Sequence, residues 1–172
     1  MTTRHFLIAA GSALALLAGA SGALASGSIS TTAPASVTVM SPVNITKTQN
    51  LVFGQVVRPS NASTNTVTID ANDSVTISGA GNGAVVASTT TSAKFNVTAA
   101  VGTTYSTTQS LAFTQTGLTN IQPSLPTTTN GTPGVIPVSG IQEIRYGGQF
   151  DMTAVTPAQD YTGTLSVTVN YN

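Results

Sequence analysis

The chain has 172 residues, no cysteine, no tryptophan, and five basic against five acidic side chains, for a formal charge of zero. That balance leaves no electrostatic footprint for nucleic acid or an anionic membrane surface. Missing cysteine excludes disulfides, thiol nucleophiles and cysteine-ligated zinc, and low net charge with ample apolar content excludes a disordered chain.

The N-terminus reads as a leader. Arg4 and His5 precede an apolar run over residues 6–19, and Ala23, Leu24 and Ala25 supply the small residues that a signal peptidase reads. The run is shorter than the ~20 residues of a membrane-spanning helix. Ser and Gly follow it instead of basic residues, and no cysteine is present to take a lipid. The expectation is a signal peptide over residues 1–25, with an exported domain over residues 26–172. That domain would reside in the periplasm, at the cell surface or outside the cell, with no membrane span remaining. Cleavage also removes His5, the sole histidine. Charge then rests on Lys47, Arg58, Lys94 and Arg145 against Asp70, Asp73, Glu143, Asp151 and Asp160.

Beyond the leader the apolar period is two almost throughout, the signal of half-buried strands. Val37 and Val39 alternate with Ser and Thr in a stretch (residues 26–40) that reads as a flexible arm or a donor strand. Leu51 and Phe53 open LVFGQVV. Val67 and Ile69, then Val75 and Ile77, flank a predicted hairpin loop at residues 70–73. Ala93, Phe95 and Val97 share a face, Leu111 and Phe113 follow, and Phe150, Met152 and Ala154 come next. Residues 116–140 hold four prolines and read as the longest loop, with room for a short edge strand. The last segment is the most regular: Leu165, Val167, Val169 and Tyr171 point one way, Ser166, Thr168 and Asn170 the other. Short strands separated by Gly, Pro, Asn and Ser predict a single antiparallel β-sandwich, immunoglobulin-like or pilin-like.

The segments LVFGQVV, AKFNVTAAVGTTYS, YGGQFDM and DYTGTLSVTVNYN together resemble a bacterial family, domain of unknown function 4402. The likeness is carried by Leu51, Phe53 and Gly54 and by Tyr161, Gly163, Val167, Val169 and Tyr171, and it spans most of the chain after the leader. It implies an exported, β-rich protein of Gram-negative bacteria with no established activity. The same two signals resemble, more faintly, subunits of archaic chaperone–usher pili and spore-coat-U proteins, whose usual cysteines are absent here.

Catalytic constellations are scarce. Without histidine or cysteine after the leader, a Ser/His or Cys/His nucleophile pair has no members. Lys94 lies within an alternating segment and reads as a solvent-facing strand residue. Glu143, Asp151 and Asp160 are close enough in sequence to suggest paired carboxylates, but a sugar cleft would also want aromatic platforms, and tryptophan is missing. Asp70, Asn72 and Asp73 could offer oxygens to calcium, yet the same residues make tight turns by capping their own backbone. No enzyme activity, cofactor or metal is expected.

The expected role is therefore structural: a surface or fimbria-like subunit associating by strand pairing, with itself and a periplasmic chaperone as partners. A secreted adhesin or carbohydrate-binding module is the alternative. Burying each side chain of the last strand's inner face is worth roughly 1.5–3 kcal/mol, against a total domain stability of about 5–15 kcal/mol. That strand must have a neighbour. Val37 and Val39 are the expected one, paired with Leu165, Val167, Val169 and Tyr171 within one chain or between two.

Overall fold

A computed structural model describes residues 27–128 and 133–172. The expected leader, residues 1–25, lies outside the described residues. Residues 27–40 are exposed and carry no strand, and Thr38–Asn172 cluster into one compact unit that holds twelve strands and, among the described residues, no helix.

The strands are β1 (Asn44–Gln49), β2 (Gln55–Val57), β3 (Asn65–Ile69), β4 (Val75–Ser78), β5 (Ala84–Val86) and β6 (Ala93–Thr98). They continue with β7 (Tyr105–Phe113), β8 (Thr119–Pro123), β9 (Thr127–Thr128), β10 (Ile141–Tyr146), β11 (Gly148–Met152) and β12 (Gly163–Tyr171). All pairings are antiparallel. One sheet runs β1-β6-β10-β9 and a second β4-β3-β11-β8, while β12 pairs with β7 and β2 with β5. No sheet closes into a barrel, and the architecture is sandwich-like, as the period-two alternation predicts.

Two apolar clusters hold the layers together. The first joins Phe95 and Val97 of β6, Ile144 and Tyr146 of β10, and Tyr105 of β7, with Leu165, Val167 and Val169 of β12 packed against them. The second joins Val67 of β3 to Phe150 and Met152 of β11, with Phe53 and Phe113 alongside. The chain crosses between the two main sheets at Gly147, the single residue between β10 and β11. A Cβ there would lie 1.9 Å from the Ile69 carbonyl oxygen, so only glycine fits the crossing.

The Leu-x-Phe-Gly signal now has a physical reason. Leu51 packs on the first cluster and Phe53 on the second, so this short stretch links both. Gly54 then turns the chain at φ 76°, in a space where a Cβ would meet the Ser88 hydroxyl at 2.4 Å.

The structure differs from the sequence reading in one place. Residues 116–140 are not one loop: β8 and β9 lie within them, each pairing at the end of a main sheet, and Ile136 is buried. Pro123 ends β8, a position where a missing N–H is tolerated because the strand is an edge of its sheet. Val37 and Val39 lie outside the twelve strands.

Candidate functional site

A groove of about 1120 Å³ opens on the sandwich. The stretch from the end of β1 through β2 forms one wall, and residues 156–165, leading into β12, form the other. Its apolar lining includes Leu51, Phe53, Leu111, Phe113, Phe150 and Leu165, with Lys47, Arg58 and Asp160 among its polar residues. Phe53 meets Phe150 edge-on at 5.0 Å between ring centroids, and Phe113 meets Phe150 at 5.8 Å and Tyr161 at 6.4 Å. These T-shaped contacts make a rigid apolar floor.

Beside the groove runs β12. It is bonded to β7 along its whole length, from Gly163↔Phe113 to Tyr171↔Tyr105, without a register shift. Within the chain the neighbour of this strand is thus β7. Leu165, Val167 and Val169 are half-buried and face the core, whereas Tyr171 remains 45% exposed and donates its hydroxyl to the Ser41 carbonyl. Val37 and Val39 are 85% and 88% exposed. Leu165, Val167, Val169 and Tyr171 therefore share one face of one hairpin.

The other edge of β12 carries no ladder among the described residues. Exposed edges invite pairing with another chain, and natural sheets blunt them with lysine, proline, bulges or brevity. The edges of the two four-stranded sheets show such devices. β1 has Lys47 and a register shift between Lys47 and Gln49, β8 has Pro123 and its own shift, β9 is two residues long, and β4 is four. In β12 nine residues, GTLSVTVNY, contain no charge and no proline.

The charged residues serve the scaffold. Glu143 on β10 accepts a hydrogen bond from the Arg145 Nε at 2.8 Å, and Asp151 on β11 accepts from the Thr66 hydroxyl at 2.6 Å. Asp160 lies in the exposed loop before β12. Asp70 caps its own turn by accepting from the amides of Asn72 and Ser74. Among the described residues no group of three or more metal-ligating side chains is gathered.

Asp73 does the most. At φ 68° it ends the β3–β4 hairpin loop, and its carboxylate accepts from the Ser92 amide at 2.5 Å and the Ser92 hydroxyl at 2.7 Å. Gln49 Nε2 donates at 3.4 Å and Lys94 Nζ lies 3.7 Å away, so the hairpin tip is tied to β1 and β6 of the other sheet. The Ser92 amide and hydroxyl, with Lys94 assisting, hold the Asp73 carboxyl below its ordinary value. Its folded pKa thus lies below the unfolded one of about 4, so its stabilisation is complete above that value and fades as pH falls through the folded one. Asp73→Asn is expected to cost about 1 kcal/mol at pH 7, the low end because the carboxylate is partly solvated. Urea midpoints of the two proteins should converge in acid.

The fold and groove define an antiparallel β-sandwich whose β7–β12 hairpin has long, uncharged edges. The family model described as "Domain of unknown function (DUF4402)" matches residues 43–171, most of the chain, and the chain belongs to this family. No curated protein and no solved structure matches it. The match starts at Val43, immediately before β1, and closes on Tyr171, the last residue of β12.

Sequence reading found the two signals, around Leu51 and around Val167, but not the groove between them. Only the fold brings Leu51 and Phe53 opposite Leu165.

Proposed function

We propose that this chain is an exported structural subunit, at the cell surface or fimbria-like, that associates by β-strand pairing. The observation that carries this reading is the nine-residue edge of β12, free of charge, proline and bulge. Such an edge presents a row of unpaired N–H and C=O groups, and strand addition is the mode of recognition that uses them. The leader residues Arg4 to Ala25 support export, and a periplasmic chaperone would cover the same edge before assembly. A catalytic role has little to draw on, since the acids with assigned partners hold the scaffold and no histidine or cysteine follows the leader.

Hydrogen exchange tests the reading. In dilute protein the amides of Gly163–Tyr171 that point away from β7 should exchange quickly, and in concentrated, ligand-free protein they should become protected. Unchanged exchange over that range would remove the strand-pairing role. A glycan-dependent rise in melting temperature of a monomer would then favour the binding-module alternative.

A further inference from the structure

We infer that the groove is a binding site for a single-chain anionic amphiphile, a long-chain fatty acid. Its carboxylate meets Arg58 and its hydrocarbon chain lies over the phenylalanine floor. This goes beyond the strand-pairing role and does not depend on it.

The apolar half of the site is core surface left open. Leu51 and Leu165 pack on the first cluster and Phe53, Phe113 and Leu118 on the second, yet all are only half-buried where they line the groove. Beside them Val52, Val57 and Val86 are 40%, 52% and 38% exposed. Each methylene of a ligand brought from water onto such a surface adds affinity. The groove, about 1120 Å³, lies just above the roughly 300–1,000 Å³ of sites for drug-sized molecules. A floor of phenyl rings offers no partner for the amides of a peptide backbone, and a hydrocarbon chain asks for none.

The polar half selects the head group. Two of the basic side chains after the leader are paired, Lys94 with Asp73 at 3.7 Å and Arg145 with Glu143 at 2.8 Å. The other two, Lys47 and Arg58, have no ion pair among the described residues, and both line the groove. One acid, Asp160, stands against them there. The lining therefore favours an anion.

Arg58 is the better placed of the two cations. Its Nη1 donates to the Thr156 carbonyl, which ties the wall carrying β2 to the wall leading into β12 and holds the guanidinium at the groove. A guanidinium has further N–H donors in the same plane, and these fit the two oxygens of a carboxylate. Lys47 lies on β1, with Leu51 and Phe53 between it and Arg58 along the same wall. A chain anchored at Arg58 thus runs over apolar side chains toward a second cation.

Isothermal titration tests the site, with probes kept below their micellar range. Dodecanoate should bind at one site per chain, about tenfold more tightly than decanoate, because two more methylenes are buried. Dodecanol, of the same length without the charge, should bind roughly tenfold more weakly than dodecanoate. Arg58→Gln should abolish the preference for dodecanoate and leave dodecanol binding unchanged, whereas Arg58→Lys should keep part of the preference. Arg58 is exposed, so both variants should unfold in urea near the parent midpoint.

Absence of dodecanoate binding, equal affinity for dodecanol, or an Arg58→Gln protein that binds dodecanoate as the parent does would overturn the assignment. Tighter binding of lysophosphatidylglycerol would overturn the fatty acid in favour of a phospholipid. If the Phe113 ring resonances shift only as protein concentration rises, and not with dodecanoate, a second copy covers the groove; the ligand site is then overturned while strand pairing stands. A protein that binds dodecanoate as described but never self-associates would keep the site and remove the strand-pairing role.

Discussion

Gly147→Ala should lose about 3 kcal/mol or more of stability, the upper end for overpacking, because the atom it strikes is backbone. The added Cβ would fall 1.9 Å from the Ile69 carbonyl oxygen and 2.8 Å from its carbon, in a strand that pairs on both sides. Relief would have to separate β3 from the β10–β11 crossing, undoing the Gly148↔Ile69 end of that ladder. The crossing is also fixed from its other flank, where the Gly147 amide donates to the Ser124 hydroxyl at 2.7 Å. A domain stable by about 5–15 kcal/mol would be left marginal. Gly148→Ala provides the comparison. Its Cβ would meet first the Leu111 Cδ2 at 2.9 Å, the end of a side chain that can rotate away. Urea unfolding of the three proteins should place the Gly147 variant far below the Gly148 variant. Equal midpoints would mean that the close approach at residue 147 does not constrain the fold.

Alternation made some strands legible and hid others for physical reasons. β3, β6, β11 and β12 each bury or half-bury one face of apolar residues, so Val67, Phe95, Phe150 and Val167 announce them. In β10 the inward residues are Gln142, Ile144 and Tyr146, and the buried Gln142 interrupts the apolar pattern while accepting the Tyr105 hydroxyl. In β7 the core-facing row includes Thr107 and Gln109 between Tyr105 and Leu111, so only its end at Leu111 and Phe113 stands out. The same polar centre hid the partner of β12. Strand pairing joins residues far apart in sequence, and nothing local in YSTTQSLAF marks it as the mate of GTLSVTVNY. The groove was illegible for a related reason, because its walls come from residues about 110 apart, Leu51 and Leu165 among them. Asp73 was legible as a turn residue, but not as the tie between sheets, since Ser92 and Lys94 reach it only after folding.

The second large effect concerns the edge itself. Ser166 and Thr168 point outward from β12 and are exposed, so lysines there touch neither core cluster. Two ammonium groups beside the free edge supply the defence that this strand lacks, repelling or crowding an incoming backbone as edge lysines do elsewhere. The Ser166→Lys/Thr168→Lys protein should fold with a urea midpoint close to that of the parent, since exposed substitutions of this kind stay within about 0.5 kcal/mol. Its assembly should be lost. Sedimentation velocity across a wide range of protein concentration measures this most directly. The parent should form larger species as concentration rises, without any ligand, and the double-lysine protein should sediment as a monomer throughout. A parent that stays monomeric at every concentration, or a folded double-lysine protein that assembles as the parent does, would contradict assembly through the edge of β12.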